Sequence, residues 1–369
     1  MTTPADPPRS DAERIARLRL ARTDGVGPAT WRRLIERCGS AIAALDALPD
    51  LARRGGRRDA LRPPGADVAE REMASAAALG ATHHFLGDPA YPDLLAAIED
   101  APPVLVMMGD ASLAARTCVA VVGARNASAA GVKLTEMIAR DLGAAGIVVV
   151  SGMARGIDAA AHRAALETGT IAALAGGIDV VYPPENEALQ RRTGEVGLLM
   201  AEFPPGLRPT ARHFPRRNRI VSGLARGVVV VEAATGSGSL ITARMAGDQG
   251  RDVFAVPGSP LDPRCRGTND LIRQGAVLTE SAGDVLAALD LAPRRPVRSE
   301  PQPMPGPAPT DEVERCRAFV IERLGPTPVD VDDLLRQGEL TPSILSTILL
   351  ELELAGRLRR HSGNRISWA

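Results

Sequence analysis

The sequence has no net charge and almost no lysine. Its 369 residues include 44 basic and 44 acidic residues, so the formal net charge at pH 7 is zero. A neutral chain has no overall field that would draw it to nucleic acid or to a membrane surface, and any such affinity has to be local. The basic residues are all arginines except Lys133. A nucleic-acid site in this chain would therefore depend on particular groups of arginines.

Cysteine and long apolar runs are also scarce. Four cysteines lie far apart and form no C-x-x-C pair, which argues against a zinc site or a disulfide framework and favours a reducing compartment. No apolar run approaches the length of a membrane-spanning helix, and the first residues lack the apolar region of a signal peptide. The sequence therefore predicts a soluble, cytoplasmic protein without a membrane segment or a metal site.

Short apolar runs alternate with helical patterns between residues 117 and 258. The first two runs, at 119–122 and 147–150, are typical of parallel strands that are covered on both faces. Further runs continue the pattern at 171–174, 198–202, 227–232 and 253–256. We expect an α/β fold with an extended Rossmann-like, doubly wound and mostly parallel sheet. Two more predicted strands, at 83–86 and 103–108, would extend the sheet at its edge.

The first two strands of this region end in glycine-containing turns that carry an arginine. Backbone N–H groups at the start of a helix, together with the positive end of the helix dipole, form an anion site, and an arginine adds a fixed charge. Because the carboxyl ends of parallel strands meet at one edge of a sheet, the two turns would line a crevice for phosphates. The candidate residues are Gly123, Arg125, Ser151, Gly152, Arg155 and Gly156.

A basic segment lies between Glu202 and Glu232. It contains no acidic residue and six arginines, at positions 208, 212, 216, 217, 219 and 226, with Phe214 among them. Guanidinium groups on phosphates and an aromatic ring on a base suit a strand of nucleic acid. The alternative is an ordinary solvated face, as for most charge runs.

A third phosphate-binding loop is predicted after Glu232, where small residues lead into a helix near Ser239. It is not a Walker A loop, because no lysine follows its glycines. The turn after Gly123 is not a dinucleotide fingerprint either, since further glycines in register are lacking and Ser151 stands where an acid would hold the ribose. NAD and ATP are both disfavoured, and no cofactor is expected.

Asp158 and His162 lie four residues apart on one helix face and could imitate an acid–base pair. Without a serine or cysteine nucleophile in an elbow motif nearby, a structural hydrogen bond is the preferred interpretation. We therefore assign no catalytic residue and expect a protein that is not an enzyme.

The two ends of the chain predict smaller modules. Residues 11–75 form a helical unit, in which Gly25 to Pro28 resemble the turn of a helix-hairpin-helix module or a plain helix connection. The sheet domain spans 80–291, and seven prolines in 292–310 indicate a semi-rigid linker that would uncouple the C-terminal unit from the sheet domain. Residues 311–369 have the helix and strand order of a winged helix. Such units read DNA or make protein contacts, and both interpretations remain open.

Taken together, these motifs resemble the DNA-processing protein A (DprA/Smf) family. The matching phrases occur in order at 121–125, 151–158, 214–220, 238–242 and 254–258. The resemblance implies a Rossmann domain that forms a homodimer, binds single-stranded DNA without hydrolysing it, and helps to load the RecA recombinase, as in natural transformation. By motif, it assigns DNA contacts to Arg125, Phe214, Arg216, Arg217, Asn218, Arg219, Gly238, Ser239 and Thr242. Ala124 departs from the serine that is usual in the family, so one phosphate-contacting hydroxyl is missing.

Two other classes compete with this interpretation. The lysine-decarboxylase-like phosphoribohydrolases, which cleave nucleoside monophosphates, share this Rossmann variant, and Glu232 could serve as their catalytic acid. Their usual Pro-Gly-Gly-x-Gly-Thr loop is replaced here by the residues at 234–239. A winged-helix transcription factor would leave most of the chain unexplained.

Overall fold

The computed structural model describes residues 7–8, 10–56, 61–290, 310–338, 340–361 and 364–369. Within these residues the protein has an N-terminal helical module, a central α/β domain and a C-terminal winged helix. The predicted proline-rich linker at 292–310 lies outside the described residues except for its last position. No helix in the described ranges is long and apolar enough to cross a membrane.

Four helices form the N-terminal module. The hydroxyl of Ser10 accepts a hydrogen bond from the Glu13 N–H at 3.2 Å and so caps the first helix. The second helix has a proline in its first turn and ends at Gly39, which adopts a left-handed conformation. Trp31 is fully buried in the module core. The helices are α1 (Asp11–Ala21), α2 (Pro28–Cys38), α3 (Ala41–Arg54) and α4 (Ala66–Ala78).

Nine strands form the central sheet in the order β1-β2-β6-β5-β4-β3-β7-β8-β9. The seven strands from β6 to β9 in this order are parallel, and β1 and β2 extend the sheet at one edge in antiparallel pairing, as predicted. The strands are β1 (Thr82–Phe85), β2 (Val104–Gly109), β3 (Cys118–Val122), β4 (Val148–Ser151), β5 (Thr170–Leu174), β6 (Leu198–Ala201), β7 (Gly227–Val230), β8 (Asp252–Ala255) and β9 (Val277–Leu278).

Every residue of β3 to β7 is buried, because helices cover both faces of this sheet. This confirms the doubly wound α/β fold. The strand order reverses between β3 and β7, and α/β proteins bind ligands at the carboxyl ends of the strands beside such a reversal. The helices are α5 (Asp93–Ala96), α6 (Ala129–Ala144), α7 (Ile157–Ala165), α8 (Glu187–Val196), α9 (His213–Leu224), α10 (Gly238–Asp248), α11 (Arg266–Arg273) and α12 (Ala282–Asp290).

The C-terminal unit is a winged helix, as its order of elements predicted. Three helices pack around their own apolar core and are followed by a strand pair that completes a three-stranded sheet in the order β10-β12-β11. The unit also packs against α2 and α3 of the N-terminal module, instead of being separate from the rest of the chain. Its elements are α13 (Thr310–Arg323), β10 (Val329–Asp330), α14 (Val331–Gly338), α15 (Pro342–Leu354), β11 (Leu358–His361) and β12 (Arg365–Trp368).

His162 on α7 is fully buried between helix and sheet. The hydroxyl of Thr170 donates to the Val149 carbonyl at 2.9 Å, so it accepts a hydrogen bond from Nδ1–H of His162 at 2.7 Å. The other ring nitrogen, Nε2, is buried without a hydrogen-bond partner among the described residues. Burial lowers the pKa of His162 to about 3, with smaller contributions from Arg217 and Arg163.

We predict that acid destabilises the fold through His162. The unfolded chain binds a proton at this histidine near pH 6.5, whereas the folded chain does not until about pH 3, so stability falls as the pH drops through this window. Between pH 7 and pH 5 the loss from this one group is about 2 kcal/mol. In the variant His162→Asn the side chain still offers an N–H donor to Thr170 but does not titrate. Urea unfolding of wild type and His162→Asn at both pH values checks this, and equal pH dependence in the two proteins would contradict it.

Candidate nucleic-acid interface

A groove of about 940 Å³ lies at the carboxyl ends of the strands, where the strand order reverses. The turns after β3, β4 and β7 form its floor, and the first turns of α9 and α10 form its walls. A side cavity of about 220 Å³ opens beside it, between the turn after β4 and the loop that precedes α8. The structure thus brings the three predicted phosphate-binding turns to one edge of the sheet.

Arg125 projects into the groove from the turn after β3. Its guanidinium carbon lies 5.3 Å from the centre of the Phe214 ring, close enough for a cation–π contact. Within the described part of the chain, no carboxylate lies at ion-pair distance from this arginine. The N–H of Ile157 donates to the Ala124 carbonyl at 3.2 Å and joins this turn to the one after β4. A cation fixed on a rigid turn without a protein counter-ion can bind a ligand anion.

Arg217 lies deeper, at the floor between groove and side cavity. Its Nη1 donates to the carbonyl of Gly152, which follows β4, and at 2.9 Å to that of Ala173, which lies in β5. A Cβ at Gly152 would lie 2.1 Å from that nitrogen, so the position has to be glycine for Arg217 to approach. Burial lowers the pKa of Arg217 and raises that of Asp158, and each charge partly offsets the effect of burial on the other.

Two aromatic rings separate the groove from the side cavity. Phe214 and Tyr182 are tilted against each other with ring centres 5.4 Å apart, and Tyr182 is nearly half exposed. Arg155 lines the side cavity and pairs loosely with Glu185 at 3.6 Å, both side chains being largely exposed. The cavity has apolar walls with charged groups at its mouth, a combination that suits a planar ring carrying a polar edge.

The N-terminus of α10 faces the groove from the opposite wall. Ser237 caps this helix, and its hydroxyl also shares a hydrogen bond of 2.7 Å with that of Ser239. Gly238, Ser239 and Thr242 all line the groove. Amides at a helix start, hydroxyl groups and the positive end of the helix dipole together favour an anion.

The predicted basic segment contributes fewer free charges than its arginine count suggests. Arg216 and Arg219 both pair with one carboxylate oxygen of Glu202, at 3.1 and 2.6 Å, and Arg219 is only 4% exposed. Arg226 lies at the amino ends of the strands, opposite the groove, where its backbone N–H donates to the Cys118 carbonyl at the start of β3. Arg208 and Arg212 remain exposed, next to the groove-lining residues at 209 and 211.

The fourteen predicted contact residues therefore divide into three groups. Nine line the groove, and Arg155 lines the side cavity alone. Four others line neither space: Arg216 and Arg219 are paired with Glu202, Gly156 is the residue before α7, and Ser151 donates its hydroxyl to the Val121 carbonyl at 2.7 Å. The nine are Gly123, Arg125, Gly152, Phe214, Arg217, Asn218, Gly238, Ser239 and Thr242.

The sequence interpretation missed several groove and cavity residues, among them one amide, one arginine and one tyrosine. Asn126 and Arg264 line the groove, the latter in an ion pair of 2.8 Å with Asp262, and Tyr182 lines both spaces. Asn126 follows Arg125 directly and could have been included with its turn. Tyr182 and Arg264 lie in loops whose path depends on packing, so no local pattern indicates them.

Asp158, His162 and Glu232 have structural roles. Asp158 accepts hydrogen bonds of 3.2 Å from two backbone N–H groups of the turn after β4, and His162 bonds Thr170 instead of Asp158. Glu232 accepts hydrogen bonds from the N–H of Ser128, at 2.9 Å, and from its hydroxyl, at 2.5 Å. It is 6% exposed and does not line the groove, so it holds the start of α6 in place.

Comparison with known protein families identifies all three parts of the chain. The family of "DNA recombination-mediator protein A" matches residues 82–290, which is more than half of the sequence. The DprA-like N-terminal helix-hairpin-helix domain matches residues 11–75, and the DprA winged helix domain matches 302–364.

Individual relatives agree with these matches. DNA processing protein DprA of Streptococcus pneumoniae is 48% identical over 205 residues, which cover 55% of this chain and 72% of that protein. Protein Smf of Escherichia coli is 39% identical over 277 residues, covering 72% of each chain.

Solved structures give the same result. The X-ray structure of the Streptococcus pneumoniae protein superimposes with a TM-score of 0.66 at 37% identity, covering 75% of this chain and 98% of that one. A structure of DNA processing protein A from Helicobacter pylori, which describes a single-stranded DNA binding mode of that protein, gives 0.52 at 28% identity, covering 57% and 96%. The chain therefore belongs to the DNA recombination-mediator protein A family, whose members are also named DprA or Smf.

Proposed function

We propose that the protein binds single-stranded DNA in the groove at the carboxyl ends of β3, β4 and β7. The observation that carries this proposal is the pairing of Arg125 with Phe214 opposite the N-terminus of α10. The cation and the helix start supply two anion positions, and the ring lies against the cation. Alternating phosphates and bases of one strand require this combination.

The aromatic groups favour a single strand over a duplex. Phe214 and Tyr182 lie at the junction of groove and side cavity, where only an unpaired base can reach them. The cations and amides around them are suited to phosphates and are not arranged to read base edges. Binding should therefore tolerate any sequence.

A nucleotide-cleaving enzyme is the competing function, and Glu232 does not support it. Both oxygens of this carboxylate are engaged by Ser128, and it lies behind the groove wall. A carboxylate held in this way is not placed to act on a bound nucleotide. Release of the base from AMP by the purified protein would favour the enzyme.

The proposal extends to a role in recombination. The matching family is described as a recombination mediator, and the resemblance given in the sequence analysis implies that the strand passes to the RecA recombinase. We propose that the bound strand is handed to RecA in the cytoplasm, during processing of incoming DNA in natural transformation. Catalysis is not part of this role.

We also propose that the protein forms a homodimer through its central domain. Support comes from β9, the edge strand of the sheet, where Val277 and Leu278 are 38% and 48% exposed. An edge strand with exposed apolar side chains is suited to pairing with a second copy. Sedimentation of a monomer alone at micromolar concentration would exclude this arrangement.

The first functional prediction concerns salt. Arg125, Arg208 and Arg212 are exposed cations in and beside the groove that have no ion-pair partner in the described ranges, so three phosphates would be neutralised on binding. The slope of log affinity against log salt concentration should then be about −2 for a single strand. Fluorescence anisotropy with labelled oligo-dT and with a duplex of equal length provides the measurement. Tighter binding of the duplex, or an affinity independent of salt, would refute the site.

Arg125→Ala should weaken single-strand binding by about 1.5–3 kcal/mol, the loss of a charged hydrogen bond to phosphate. The melting temperature should hardly change, since the side chain contacts the protein mainly through the Phe214 ring. Arg226→Ala is the matched control, because it removes the same charge at the opposite edge of the sheet. If the two variants bind DNA equally well, Arg125 is not a contact.

Handover to RecA is tested separately. On DNA that is coated with a single-strand-binding protein, the wild type should shorten the lag before RecA hydrolyses ATP. Arg125→Ala should lose this effect in proportion to its loss of DNA affinity. Normal DNA binding without any change in the lag would contradict the mediator role and leave the binding site intact.

A further inference from the structure

The third helix of the winged helix, α15, has two apolar faces. One face packs into the core of the winged helix itself, through Ile344, Leu345, Ile348, Leu349 and Leu352. The other face carries Leu350 and Leu354, which belong to the hydrophobic cluster that contains Leu34, Leu48 and Leu51 of α2 and α3. Both leucines are at most 2% exposed. The winged helix and the N-terminal module therefore share a continuous apolar contact.

Ion pairs and a hydrogen bond surround this apolar contact, with positive groups on one side facing negative or polar groups on the other. Arg33 of α2 forms an ion pair with Glu353 of α15, and the same carboxylate pairs with Arg360 of β11 at 3.3 Å. One turn further along α2, Arg37 donates to the hydroxyl of Thr347 at 2.7 Å. These pairs are partly buried and fix the rotation of α15 against α2.

The two backbones approach closely at Gly55, the residue that follows α3. A Cβ at this position would lie 1.9 Å from the carbonyl oxygen of Glu351 and 2.6 Å from its carbonyl carbon. The backbone of Gly55 is right-handed helical, with φ of −69°, so any residue could adopt its conformation in the module alone. Glycine is therefore required here for the contact with α15.

The charge of α15 does not suit DNA. In helix-turn-helix proteins the groove-reading helix lies on the duplex, and neighbouring cations bind its phosphates. The sequence of α15 contains Glu351 and Glu353 and no basic residue. Its exposed positions are only Pro342 and Ser346. A helix with two carboxylates and covered leucines is suited to a protein surface.

We propose that the winged helix is a docking module whose third helix binds the α2–α3 surface of the same chain. The two terminal modules then form one rigid unit, and α15 is not available to a duplex. Of the two interpretations of the winged helix, protein contact and DNA reading, the proposal chooses protein contact. The proposal does not depend on the DNA-binding groove, whose residues lie elsewhere in the chain.

Gly55→Ala tests the docking in the full-length protein. The new methyl group clashes with the Glu351 carbonyl but is compatible with the helix, so only the docked state is disfavoured. We expect amide hydrogen exchange in α15 and in α2 to accelerate at least about tenfold, with exchange in β3 and β4 unchanged. Gly27→Ala is the control, since a Cβ there meets nothing within 4 Å and the backbone φ is −79°.

An independent variant uses charge instead of shape. Arg33→Glu places two carboxylates together and should accelerate the same amides. The exchanged pair Arg33→Glu with Glu353→Arg should restore part of their protection, since Glu353→Arg also removes the carboxylate partner of Arg360. Unchanged exchange in both Gly55→Ala and Arg33→Glu would overturn the proposal.

The DNA-reading alternative has its own test. Ser346→Glu adds a negative charge at an exposed position of α15 and should leave the affinity for duplex and single-stranded DNA unchanged. A loss of duplex affinity of threefold or more would mean that α15 contacts DNA and would also overturn the proposal. A loss of single-strand affinity that is seen only in Arg125→Ala is a property of the groove and is compatible with the docking.

Discussion

The groove depends on one buried guanidinium group. Arg217 extends from α9 under the ends of β4 and β5 and satisfies carbonyl groups of both strands. Its charge offsets that of the buried Asp158, which in turn accepts the backbone N–H groups of the turn after β4. A buried charge without a partner is strongly unfavourable, so helix, strands and turn hold one another in a single arrangement. The ligand-facing turns are rigid before any ligand arrives, which lowers the entropy cost of binding.

The free positive charge in the groove is small compared with the number of arginines nearby. Glu202 is paired with two of them, and Asp262 with Arg264. In the proposed function, affinity for a single strand would then come largely from oriented amides, hydroxyls and aromatic rings, which act at short range. A neutral protein with such a site avoids unspecific attraction to every polyanion in the cell.

Much of the fold could be predicted because its signals are local. Buried parallel strands appear in the sequence as short apolar runs, and glycine with arginine after a strand indicates a turn at the carboxyl edge of the sheet that is suited to anions. Tertiary pairing is not local. Glu202 lies just outside the basic segment. It forms ion pairs with Arg216 and Arg219 only when α9 packs over the end of β6. The outer leucines of α15 have the same helical spacing as its core leucines, so the sequence does not distinguish the face that docks from the face that packs inside.

The contact of α15 with α2 and α3 also has a consequence for the order in which the chain is made. Arg33 and Glu353 are 320 residues apart in the chain. At a synthesis rate of 5–20 residues per second, the partner of the α2–α3 surface emerges roughly 15–60 s after that surface has been made. During that time the central domain can fold, while the apolar patch of the first module stays exposed. A segment that is made later thus covers one that is made earlier, and a chain that stops before α15 would retain the uncovered patch.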